Sequence, residues 1–271
     1  MPDPIQAPQP MRIRNLGPVN WLGLWTLYLK EVRRFMKIIT QTILAPVSTS
    51  LLFLAIFALA LAGTRPDVAG VPFLKFLAPG LIMMTLMQNA FANTSSSLMI
   101  AKVQGNIVDV LMPPLSPAEQ TIAIAMGGLT RGLLVAVACG AAMWPFTGLH
   151  VHAAAAILFF AVSAALMMSL IGILGGIWAE KFDHIQALTN FVVTPLAFLS
   201  GTFYSVAQLP DFARSIAYAN PFFYLIDGFR YGFTGLADSS LWLGAGLVSL
   251  INLVLGVACY SLFKSGYRLK A

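Results

Sequence analysis

The chain has 271 residues, 58% of them hydrophobic and only 10% charged, with a mean hydropathy of +0.81. A soluble domain carries about 25% charged residues, so this composition excludes a water-soluble globule and indicates an integral membrane protein. Sixteen Lys and Arg against ten Asp and Glu give a formal charge of +6, and in such a protein the placement of the charges matters more than their sum.

Residues 1–18, with Pro2, Pro4, Pro8 and Pro10, read as a disordered tail. About 40 residues, several of them charged, precede the first apolar run, so no cleavable signal peptide fits. Over 19–37, Gly23, Thr26, Lys30, Arg33, Arg34 and Lys37 recur every three or four positions. Trp21, Leu22, Leu24, Trp25, Leu29, Val32 and Met36 fill most of the gaps. That is the pattern of an amphipathic helix lying in the membrane surface; a plain basic flank is the alternative.

A membrane core takes about 20 apolar residues per helix. Six stretches qualify, roughly 41–62, 73–96, 119–147, 153–178, 185–203 and 240–263, which predicts an all-α, six-span domain over 41–263. Between the second and third, residues 100–112 read as a short helix with Ile100, Val103, Ile107 and Leu111 on one face. Pro113 and Pro114 end it, and Ser116-Pro117-Ala118-Glu119 forms a capping box that opens the next span. The elbow is either a helix sealing the lipid boundary or a rigid lever on which a cytosolic partner pushes. The stretch 202–239 is too apolar for a solvated loop and too interrupted to span, with helical patches at 211–219 and 222–233 broken at Asn220-Pro221. It reads as a segment dipping into the outer leaflet, in which Asp227 and Arg230, three apart, neutralise one another. A basic tail, 264–271, closes the chain.

With the N-terminus inside, twelve cations fall on the cytosolic side: Arg12, Arg14, Lys30, Arg33, Arg34, Lys37, Lys102, Arg131, Lys181, Lys264, Arg268 and Lys270. Arg131 is counted there on the expectation that it snorkels out of the third span. Arg65, Lys75, Arg214 and Arg230 face outward, so both termini are expected in the cytosol. Trp144, Trp178 and Trp242 near span ends agree.

No Gly-x4-Gly-Lys-Ser/Thr loop occurs, so nucleotide hydrolysis on this chain is not expected. His150 and His152 share a short loop without a carboxylate or thiol beside them, and His184 stands alone, so no metal is expected. Cys139 and Cys259 lie in apolar runs and read as buried thiols. Intramembrane carboxylates, which ion-coupled carriers need, are nearly absent. Gly172 and Gly176 suit close helix packing within the bundle or a dimer seam. Asn89, Asn93, Thr94, Ser95, Ser96 and Ser97 make the inner half of the second span polar, facing either a translocation pathway or another helix.

The order of parts resembles the type-2 ATP-binding-cassette exporter permeases. The resemblance rests on the 19–37 helix, the elbow before Pro113-Pro114-Leu115-Ser116-Pro117, and Leu199 to Arg230, with its Leu209-Pro210, Ala219-Asn220-Pro221-Phe222 and Asp227-Gly228-Phe229-Arg230. The last stretch is similar to the branch of nodulation-factor, antibiotic and polysaccharide or lipid exporters. The resemblance implies a homodimer in the bacterial inner membrane, paired with two ABC ATPase subunits that carry Mg-ATP. It implies no cofactor on this chain, contact with membrane lipids and no nucleic-acid partner. It further implies that Lys102, Val103, Gln104, Gly105, Asn106, Ile107, Val108 and Asp109 form a coupling helix seated on the ATPase, beside the surface helix carrying Trp21, Trp25, Lys30, Arg33 and Arg34. Asn89, Asn93, Phe203, Tyr204, Phe222 and Tyr224 are candidate pathway-lining residues for a lipid, glycolipid or drug-like cargo. The alternative is a stand-alone membrane enzyme or assembly factor acting on lipids.

Overall fold

A computed structural model of the chain describes residues 17–60, 67–68 and 70–269. Nearly all of the expected disordered tail, with Arg12 and Arg14, lies outside the described residues, as do Arg65, the last residues of the first predicted span, and Lys270. The described residues form helices without a strand. Among them, four helices are long and apolar enough to cross a membrane: Thr40–Ala60, Pro117–Thr147, Ala154–Trp178 and Leu241–Ser265.

In chain order, α1 is Trp21–Met36, and a π turn at Thr40–Leu44 leads into α2, Ala45–Ala60. Helix α3 covers Phe73–Val103, α4 Ile107–Leu111, α5 Pro117–Thr147 and α6 Ala154–Trp178. The fifth predicted span is a jointed helix: α7, Phe182–Leu188, a π turn at Thr189–Val193 and α8, Thr194–Leu199. Pro195 in the first turn of α8 has no N–H to give, and the wider π turn before it absorbs the break. Then come α9, Asp211–Ala219, α10, Pro221–Thr234, and α11, Leu241–Ser265.

The 31-residue α3 is the axis of the fold, buried along most of its length and packed chiefly on α5 and α6. Its polar inner half faces protein: Ser95 Oγ donates to the Phe91 carbonyl at 2.8 Å, and Thr94 Oγ1 donates across to the Ser169 carbonyl on α6 at 2.8 Å. The contact is close because α6 presents glycine there. A methyl group added to Gly172 would collide with Thr94 Oγ1 and the Phe91 carbonyl. Gly172 and Gly176 therefore serve packing inside one bundle. Cys139 and Cys259 are free and buried.

The elbow differs from its expected form. Instead of one helix over 100–112, α3 runs on through Ile100 to Val103 and the short α4 starts afresh at Ile107. The break falls at Gly105, whose φ of +73° is left-handed, a conformation glycine adopts without the steric cost other residues meet. In the outer segment both predicted patches appear as helices, α9 and α10, hinged at Asn220. Its side chain accepts from the Phe222 N–H and donates to the Leu196 carbonyl.

Candidate functional site

Two constructions stand out, a platform at the elbow end and a polar cleft half-way along the bundle. The platform is assembled by two buried glutamates. Ser116 and Glu119 form the expected capping box: Ser116 Oγ accepts from the Glu119 N–H at 3.3 Å, and Glu119 accepts from the Ser116 N–H at 2.6 Å. The same carboxylate reaches the Asn20 N–H at 2.5 Å, and Asn20 Nδ2 donates to the Pro114 carbonyl at 3.2 Å. One side chain thus caps α5 and anchors the start of α1.

Glu31, 1% exposed, anchors the rest of that helix. It accepts from Ser97 Oγ at 2.7 Å and pairs with Arg34 at 3.4 Å. Arg34 continues inward to the Asn93 carbonyl at 2.6 Å, Asn93 Oδ1 at 3.0 Å and Ser96 Oγ at 3.2 Å. The half-buried Arg34 and the polar groups of α3 offset the cost of taking the Glu31 carboxylate from water. Arg34 is therefore a fastener to α3, unlike its expected place on the outer cationic face. Trp21, Trp25, Lys30 and Arg33 do lie on the exposed face of α1.

At the elbow, Val103, Gln104, Gly105, Asn106, Val108 and Asp109 are exposed, whereas Ile107 is buried with Val110 in a small core against α3, α5 and α6. Lys102 also turns inward. Its Nζ donates to the Ile177 and Ala179 carbonyls at 2.8 and 2.5 Å, closing the C-terminus of α6, where a cation complements the helix dipole. Lys102 and Ile107 thus mount the elbow and do not present themselves to a partner. The exposed apolar surface is Val103, Val108 and Met112, the last 78% exposed.

The cleft, about 450 Å³, lies between α2, α3, α5 and α8. Gln41, Thr42, Ser50, Thr85, Gln88, Asn89 and Arg131 supply its polar wall, and Phe53 and Phe198 its apolar one. Its groups are held in a chain: Ser50 and Thr85 hydroxyls lie 2.8 Å apart, Asn89 Nδ2 donates to the Thr85 carbonyl at 3.0 Å, and Arg131 donates to Asn89 Oδ1 at 3.1 Å. Arg131 points to Asn89 and does not snorkel outward as expected. Phe203 packs on Phe53, Phe57 and Phe198 beside the cleft, with centroids 5.2–6.3 Å apart. Of the other candidate pathway residues, Asn93 is committed to Arg34. Tyr204 donates to the Leu199 carbonyl, and Phe222 and Tyr224 are buried in the main core. These four do not line the cleft.

Asp227 and Arg230 are both buried but form no ion pair with each other. Asp227 accepts from the Asp238 N–H, the Ser239 N–H and Ser239 Oγ at 2.7–2.9 Å, tying down the turn before α11. Arg230 lies 3.9 Å over the Phe76 ring and donates to the Gly201 and Phe76 carbonyls at 2.6 and 3.2 Å. The i, i+3 spacing puts them on one side of the helix, yet each is engaged elsewhere, Asp227 by the turn before α11 and Arg230 by Gly201 and by Phe76 of α3. Arg230, 3% exposed, is also unavailable to hold a cargo head group.

Glu31 carries an anchoring role that the sequence did not reveal, and Glu119, expected as part of the α5 capping box, also holds the start of α1. The signals that bear on these roles are the i, i+3 spacing of Glu31 to Arg34 and the position of Glu119 behind a double proline.

Comparison with known proteins adds a second line. The family described as ABC-2 type transporter matches residues 23–234. The chain is 36% identical over 251 residues to the Inner membrane transport permease YadH of Escherichia coli strain K12, covering 93% of this chain and 98% of that protein. It is 27% identical over 226 residues to Nodulation protein J of Sinorhizobium fredii strain NGR234, covering 79% and 81%. To Nodulation protein J of Rhizobium leguminosarum bv. viciae it is 25% identical over 242 residues, covering 88% and 91%.

Proposed function

This chain belongs to the ABC-2 type transporter family, and on that premise we propose that it is the membrane half of an ATP-driven exporter. It is a transport permease subunit of the bacterial inner membrane and not an enzyme. In this reading the four long apolar helices, the axial α3 and the jointed α7–α8 make six crossings. Helix α1 lies on the cytosolic surface, α9 and α10 dip in from the outer side, and both termini are cytosolic. Two copies pair, two separate ABC ATPase subunits carry Mg-ATP, and the cargo is a lipid, a glycolipid or polysaccharide, or a drug-like amphiphile.

The observation that carries this reading is the mounting of the elbow. The segment 102–112 presents Val103, Val108 and Met112 at the end of the axial helix, while Ile107, Val110 and Lys102 fix it to the bundle. An exposed apolar patch on a rigid mount is the form of a docking surface. Displacement of the elbow passes directly into α3, and through Glu31 and Arg34 into α1. The test is ATP hydrolysis in vesicles holding this chain and its ATPase subunit. Val108→Asp with Met112→Asp should bring cargo-stimulated hydrolysis down to the basal level while leaving the folded yield unchanged. Stimulation that survives both changes places the contact elsewhere.

A further inference from the structure

Arg131 sits at an unusual depth. It stands 14 residues into α5 from Pro117, and Asn89 stands 14 residues before the end of α3 at Val103. At 1.5 Å per residue both lie about 21 Å from the elbow end, near the middle of a membrane core about 30 Å thick. A charge there is costly and ordinarily paired. Among the described residues no carboxylate pairs with Arg131, and its Nε is buried without a hydrogen-bond partner.

Among the described residues no carboxylate stands free at that depth. Glu31 is taken by Arg34 and Ser97, Glu119 by two helix starts, and Asp227 by the turn at Ser239. Asp67, Asp109, Glu180, Asp183, Asp211 and Asp238 fall outside the long helices. What does surround the guanidinium is a cleft whose wall offers the Gln41 and Gln88 amides and the second amide N–H of Asn89, while the Ser50 and Thr85 hydroxyls are spent on one another and on the Leu81 carbonyl. Such amides complete the coordination of an oxyanion and its neighbouring hydroxyls.

We propose that Arg131 and Asn89 hold the anionic group, a phosphate or carboxylate, of the exported molecule at mid-membrane depth. The assignment rests on the exporter reading and narrows its cargo to anionic amphiphiles or anionic glycans. The anion belongs either to a lipid head group presented laterally or to a soluble anionic solute.

The test uses the full chain in an uncharged detergent, following thermal unfolding with added phosphatidylglycerol, phosphatidylcholine or inorganic phosphate at constant ionic strength. Phosphatidylglycerol should raise the Tm where phosphatidylcholine does not. The half-saturating concentration should rise about tenfold or more in Arg131→Gln, as expected for one charge-assisted contact, and recover in part in Arg131→Lys. Lys75→Gln should respond as the parent does. The same Arg131-dependent shift with inorganic phosphate supports the site and assigns it to a soluble anion. If Arg131→Gln does not fold, Asn89→Ala takes its place and should weaken the anion response about threefold or more. Equal protection by neutral and anionic lipid, no protection by any probe, or an anion response unchanged in these variants overturns the proposal. None of these results bears on the ATPase coupling, which is read separately.

Discussion

Asp227 and Arg230 offer a sharp quantitative test, because two geometries predict different arithmetic. Truncating Asp227 to Ala removes three hydrogen bonds of 2.7–2.9 Å and leaves the Asp238 and Ser239 N–H groups unpartnered. Hydrogen bonds to a charged group contribute about 1.5–3 kcal/mol each. Because they share one carboxylate and are not additive, the expected loss is about 3–4 kcal/mol. Arg230→Ala removes the ring contact with Phe76 and the carbonyl contacts at Gly201 and Phe76, again about 3 kcal/mol. The two residues share no hydrogen-bond partner, so the double variant should lose nearly the sum, with an interaction energy below about 1 kcal/mol. Reversible unfolding in mixed micelles, on the parent, both singles and the double, supplies the cycle. Asp227→Asn, which keeps one acceptor, should lose less than Asp227→Ala. A double variant recovering 2 kcal/mol or more would show a direct ion pair and refute the geometry.

Three further outcomes follow from the anchoring contacts. Glu31→Gln should cost about 1–3 kcal/mol, since Arg34 keeps its Asn93 contacts but loses its acid; proteolysis of α1 in vesicles should accelerate. Glu119→Ala should cost about 1–2 kcal/mol by removing the N3 half of the α5 capping box and should loosen the start of α1, read as faster hydrogen exchange near Asn20. Gly172→Leu places a side chain against Thr94 and Phe91 and should abolish folded yield, as judged by size-exclusion chromatography, whereas Gly256→Leu, with open space around it, should not.

Much of the fold was legible because its signals are local. The Ser116–Glu119 cap, the Asn220-Pro221 hinge and the apolar runs all act within a few residues, and helices appear where they point. The elbow departs from one continuous helix for a local reason too: Gly105 takes a left-handed conformation that breaks it eight residues before the double proline. The site was less legible because its partners are remote. Arg131 meets Asn89 across 42 residues of sequence and Glu31 meets Ser97 across 66, and no periodicity encodes such a meeting. Asp227 found the Ser239 turn because α11 starts immediately beyond it, which spacing along α10 does not reveal.

In the proposed exporter the elbow of this permease subunit seats on a cytosolic ABC ATPase. Cross-linking in inverted membrane vesicles tests it most directly, using Val108→Cys, Met112→Cys and Ser239→Cys with the ATPase subunit co-expressed. Cys139 and Cys259 are buried and stay in place. A cross-linked permease–ATPase species is expected from positions 108 and 112, shifting in yield with ATP, and none from position 239. A cross-link from position 239, or none from either elbow position while the ATPase remains bound to the membrane, would contradict it.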